Sequence, residues 1–123
     1  IHHNSVRVTP FTTISVNVSE IVIASAFIIL VLLIFPLHSS VIFIFAAVSL
    51  LKNIMIHLGH EILPKWINKT FLKWLVTATH HEVHHMKFKQ NYGIYFRFWD
   101  VWMGTEDKDY LQKFEQVRDG KPL

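Results

Sequence analysis

His80-His81-Glu82-Val83-His84-His85 holds four of the nine histidines in this chain. Imidazole is a ligand that suits iron, zinc and copper alike, so four within six positions point to a metal site. On a helix His81, His84 and His85 stand at i, i+3 and i+4 and share one face, which lets three nitrogens converge. His80 is turned about 100° from His81 by the helical period, although it stacks with His84. The same residues satisfy H-E-x-x-H, the zinc-protease pattern in which His81 and His85 would bind zinc and Glu82 would act as general base. The chain has no cysteine, which excludes disulfides, thiolate ligands and iron–sulfur clusters and leaves His, Asp and Glu to hold any metal. Two further groups, His2-His3 and His57 with His60, lie far from the cluster in sequence. Six or more imidazoles brought together would over-supply one catalytic zinc, which takes about three protein ligands, so a two-metal centre fits better.

Those groups can meet only if the elements between them return the chain to one place. Of the 123 residues 51% are hydrophobic and 17% charged, and none of the charged residues lies between Ile21 and Leu51. A membrane-spanning helix needs about 20 apolar residues. The uncharged stretch, broken at Pro36-Leu37-His38-Ser39-Ser40, therefore predicts two transmembrane helices, Ser19 to Phe35 and Ser40 to His57, folded as a hairpin. Ser19 and Glu20 suit a helix start, and Pro36 suits a turn. The alternative, a core hairpin of a soluble domain, fails because the remaining residues are too few to surround it. An internal position after a polar segment excludes a signal peptide. Both ends of a hairpin emerge on one side and every Lys and Arg lies on those ends, outside the uncharged stretch, so the positive-inside tendency places both ends, and the histidines, in the cytoplasm. A net charge of +3 without a basic run gives nucleic-acid binding no support.

The fold class expected is all-α: an integral membrane protein with a hairpin over about 19–57, a cytoplasmic metal-binding region over about 58–105 and a tail over 106–123. Residues 4–18 read as extended or irregular. After a break at Gly59 and Pro64, a helix is expected from about Thr70 to Met86. Trp66, Phe71, Trp74 and Leu75 with Lys65, Lys69 and Lys73 read either as an interfacial element or as core packing. Asn91-Tyr92-Gly93 marks a turn, Gly104 closes the next segment, and Asp109 to Val117 predicts a short amphipathic helix. The aromatic run Tyr92, Tyr95, Phe96, Phe98, Trp99 and Trp102 is expected to pack the domain, with the wall of a lipid cavity as the alternative.

His81-Glu82-Val83-His84-His85, Asn91-Tyr92-Gly93, Trp99-Asp100 and Gly104-Thr105 follow one another in an order that resembles the sterol desaturase and fatty acid hydroxylase superfamily: HxxHH, NYG, WD and GT. His2-His3 resembles the end of an earlier HxxHH motif, and His57-Leu58-Gly59 with Glu61 and Pro64 resembles the middle histidine segment. The resemblance implies an integral-membrane oxidoreductase with two non-haem iron ions. Such an enzyme uses O2 to hydroxylate or desaturate an unactivated C–H bond of a sterol, fatty acyl or related membrane lipid. An electron donor such as cytochrome b5, or ferredoxin with its reductase, would supply electrons. The compartment implied is the bacterial inner membrane or the endoplasmic reticulum. Carried over, the metal ligands are His2, His3, His57, His81, His84 and His85. His60, His80, Asn91 and Asp100 are possible supporting residues around them. The upstream histidine pair of the family has no counterpart here, which implies an N-terminally truncated member, inactive as a fragment. The rival readings are a membrane zinc metalloprotease acting through His81, Glu82 and His85, and a non-catalytic membrane metal-binding fragment.

Overall fold

A computed structural model of the chain describes residues 18–123, and among these it is helical, with no strand. Helix α1 runs Val18–Ile34 and α2 Ser39–Ile56, each within a residue of the expected bounds. Between Glu20, in the first turn of α1, and Lys52, near the end of α2, neither helix carries a charged residue, and exposed apolar residues surround both. Among the described residues α2 is the helix long and apolar enough to cross a membrane; the apolar part of α1, Ile21–Ile34, is shorter. The N-terminus of α2 is capped by His38, whose Nδ1 accepts from the Ser40 N–H at 3.2 Å, with Pro36 shortly before it. Of the expected irregular stretch, Val18 opens α1 and the rest lies outside the described residues, as do His2 and His3.

The expected helix from Thr70 to Met86 forms only in its second half. Two 3-10 turns, Lys65–Lys69 and Phe71–Trp74, precede helix α3, Ala78–Lys87. Backbone pairing explains the difference. Val76 N–H donates to the Tyr95 carbonyl at 3.1 Å and Arg97 N–H to the Trp74 carbonyl at 2.8 Å, around an antiparallel bridge between Leu75 and Phe96. The Val76 carbonyl also accepts from Lys52 Nζ. With these groups used by other segments, the i to i−4 ladder cannot begin until Thr77, whose hydroxyl caps α3 by accepting from the His80 N–H at 3.2 Å.

Helix α4, Phe98–Met103, ends at Gly104, which takes the left-handed φ of 70° that glycine adopts without strain. Helix α5, Tyr110–Arg118, is the expected amphipathic helix displaced by one residue. Its buried face supplies Tyr110 and Phe114 to a core shared with Ile67, against which Leu63 and Leu72 pack. The aromatic run does not join that core. Tyr92, Trp99 and Trp102 are 55%, 49% and 77% exposed, so the packing expectation is overturned; the core is built from Ile67, Tyr110 and Phe114.

Asp107 ties α3 to α5. Its buried carboxylate accepts from Lys113 at 2.8 Å and from Lys87. Burial by itself would raise its pKa, but the hydrogen bonds from Lys113, Lys87 and the Asp109 N–H outweigh this and hold it down from 3.8 to about 2. Because the folded value lies below the unfolded one, the stabilisation is present above about pH 4 and disappears as the pH falls toward 2. Asp107→Asn should cost on the order of 2 kcal/mol at pH 7. In detergent, the gap in thermal midpoint between parent and variant should close over that acid range.

Candidate metal centre

His57 caps the C-terminus of α2, and His81 and His85 lie one turn apart on α3. Their ligand nitrogens all fall within 4.8 Å of one another, and all three residues are buried. His81 Nε2 is 3.1 Å from His57 Nε2 and 3.1 Å from His85 Nε2. A ring nitrogen has one in-plane position, filled by a proton or by a lone pair, so it cannot serve both approaches as ordinary hydrogen bonds. A cation between them would accept all three lone pairs. The donor set therefore fits a divalent metal of the imidazole-binding kind.

The protein fixes which nitrogen faces inward. His57 Nδ1 lies 2.8 Å from the Asn53 carbonyl. A carbonyl only accepts, so the ring proton is assigned to Nδ1 and Nε2 keeps its lone pair. The Gln90 carbonyl acts on His84 Nδ1 in the same way, at 2.8 Å. His84 is half-buried at the edge of the trio, with its ring 6.0 Å from those of both His81 and His85. The structure thus brings together three of the expected ligands, places His84 beside them, and leaves His2 and His3 outside the described residues.

The expected supporting residues divide. His60 is exposed, its Nδ1 3.1 Å from the Leu58 carbonyl. His80 is fully buried with its ring edge-on to Tyr110 and Nε2 3.5 Å from Asp100 Oδ2. Burial pushes its pKa down to about 4 against the pull of Asp100, so His80 is neutral at pH 7. Asn91 donates to the His80 carbonyl at 3.0 Å and accepts from the Asp107 N–H at 2.8 Å. Asp100 accepts from the N–H groups of Tyr92 and Gly93 and from the Thr105 hydroxyl, at 2.7, 2.8 and 2.7 Å. A Cβ on Gly93 would lie 2.6 Å from the Phe96 carbonyl oxygen and 2.8 Å from Asp100 Oδ2. The NYG, WD and GT residues therefore form one connected clamp on the start of α3.

Sequence reasoning missed the part played by Glu61. Its buried carboxylate accepts from the Thr79 N–H and hydroxyl, at 3.1 and 2.9 Å, and from the Leu63 N–H at 3.1 Å. It couples the segment after His57 to the first turn of α3 and also suits the positive end of that helix. A lone acid between His60 and Ile62 was the available signal.

A family model described as fatty acid hydroxylase matches residues 1–105. A very-long-chain aldehyde decarbonylase of Oryza sativa subsp. japonica is 35% identical over 71 residues, which is 55% of this chain and 11% of that protein. A methylsterol monooxygenase of Aspergillus fumigatus is 36% identical over 70 residues, 57% of this chain and 23% of that protein. A C-4 methylsterol oxidase of Schizosaccharomyces pombe is 37% identical over 76 residues, 62% of this chain and 24% of that protein. The matched part thus spans less than a quarter of each of these relatives. No solved structure matches.

Replacing His57, His81 or His85 singly with Ala should lower metal affinity by at least about tenfold, since loss of a direct ligand exceeds the loss seen for an outer partner. His60→Ala should leave it unchanged. Elemental analysis after dialysis against a graded chelator reads both outcomes.

Proposed function

The chain belongs to the fatty acid hydroxylase family, and on that premise we propose that it forms part of a membrane oxidoreductase that hydroxylates or desaturates a sterol, fatty acyl or related lipid. The observation that carries this reading is the convergence of His57, His81 and His85 inside the matched region. Two irons would be held by His2, His3, His57, His81, His84 and His85. When bound, iron would supply the O2-dependent one-electron chemistry that side chains cannot perform on an unactivated C–H bond.

The chain's own residues supply orientation. The Asn53 and Gln90 carbonyls keep His57 and His84 in the tautomer whose Nε2 is available. Glu61, with Asn91 and Asp100, holds the start of α3 against rotation, which keeps His81 and His85 aimed at His57. Substrate is drawn from the bilayer in which α1 and α2 form a hairpin, with the histidines on the cytoplasmic side of a bacterial inner membrane or the endoplasmic reticulum. Electrons come from a carrier such as cytochrome b5, or ferredoxin with its reductase.

Native protein purified from its membrane should contain two iron atoms per chain. His81→Ala, His84→Ala and His85→Ala should each remove metal and lipid oxidation together, whereas Glu82→Ala should retain both. Retained metal with peptide hydrolysis abolished by Glu82→Ala would establish the zinc-protease reading instead.

Topology has its own test. In the cysteine-free chain, Ser39→Cys should react with a membrane-impermeant thiol reagent from outside the cell, while Ser5→Cys and Gln90→Cys should not. Labelling of Ser5→Cys and Gln90→Cys from opposite faces would separate the histidine groups by the bilayer and exclude a shared centre.

A further inference from the structure

Between Tyr92 and Gly104 the usual distribution of side chains is inverted. The two charged residues of the segment, Arg97 and Asp100, are 7% and 1% exposed, whereas Ile94, Trp102 and Met103 are 58%, 77% and 73% exposed. Arg97 turns inward to Glu106 at 2.6 Å and the Lys73 carbonyl at 3.2 Å, with its guanidinium over the Tyr110 ring. Asp100 turns inward to the Tyr92 and Gly93 N–H groups. The outer surface of the segment is therefore apolar and aromatic and carries no charge. An open cavity of about 600 Å³ lies within it, walled by Tyr92, Ile94, Phe96, Trp99 and Met103 among others.

The segment is also fixed against α2. Tyr95 Oη donates to Ser49 Oγ at 2.9 Å, and Ile94 and Tyr95 line a crevice with Ser49, Leu50, Asn53 and Lys52, whose ammonium is turned to the Val76 carbonyl. Ser49 lies seven residues before the end of α2, about 10 Å at 1.5 Å per residue, and three residues before Lys52, at the edge of the uncharged stretch. A surface tied to that level of a spanning helix meets lipid, and Tyr and Trp favour the boundary between acyl chains and headgroups.

We infer that residues 92–104, including α4, lie in the membrane beside α2, with lipid acyl chains as the occupant of the aromatic face and its cavity. Phospholipid is the partner because an uncharged surface offers nothing to a charged protein face, and because the face continues the apolar wall of α2. The inference rests on the reading of α2 as a membrane span.

The test uses the four tryptophans. In the full chain with Trp66→Phe and Trp74→Phe, the emission of Trp99 and Trp102 should fall at least twofold in phosphatidylcholine vesicles with brominated acyl chains and respond little to acrylamide. A tryptophan-free chain carrying Phe45→Trp reports α2 itself. Quenching at Phe45→Trp combined with acrylamide quenching, or with no quenching by either reagent, at Trp99 and Trp102 would overturn the inference, the last outcome showing that protein covers the face. Absence of lipid quenching at Phe45→Trp would remove the span and the inference with it. Met103→Cys, bearing an environment-sensitive dye in the otherwise unchanged chain, gives a single-site check. Its emission should shift to the blue on vesicle binding, and a spectrum like that of the dye in water would equally overturn the inference.

Discussion

Holding three imidazole nitrogens within 4.8 Å of one another in a buried place is the constraint on which the rest of the molecule depends. Without a cation the lone pairs repel, and burial removes the water that would otherwise solvate them. The surrounding structure must supply the rigidity that the histidines cannot. It does so through the Glu61 carboxylate on Thr79, the Asn53 carbonyl on His57 and the clamp of Asn91 and Asp100. Each reaches the site from a different part of the chain.

The match to the fatty acid hydroxylase family ends at residue 105, just past the clamp and before α5. Helix α5 is held by Asp107 and by the packing of Tyr110 and Phe114, and it reaches the histidine region through Tyr110, whose ring meets His80 and whose hydroxyl lies 3.2 Å from that of Thr77.

Much of this arrangement was legible in the sequence because it follows local rules. The uncharged stretch marked α1 and α2 to within a residue, and the i, i+4 spacing placed His81 and His85 on one face. Gly104 and the Asn91 turn were equally local signals. What could not be read was non-local. The pairing of residues 74–76 with 95–97 consumed backbone groups that a helix from Thr70 would have needed. That the aromatic run stays exposed while α5 supplies the core rests on contacts between distant segments. Glu61 stood out as an acid in the middle histidine segment, but its role was not legible, since its partner Thr79 lies 18 residues away.

The ligand trio is divided between two elements in a way that has a mechanical consequence. His57 rides on the end of α2, while His81 and His85 belong to α3. A slide of α2 along its own axis by one residue's rise, about 1.5 Å, is half of the 3.1 Å between His57 and His81 Nε2. Two struts resist that slide: Lys52 on the Val76 carbonyl and Glu61 on Thr79. The spacing of the three histidine nitrogens is thereby coupled to the position of α2 along its own axis.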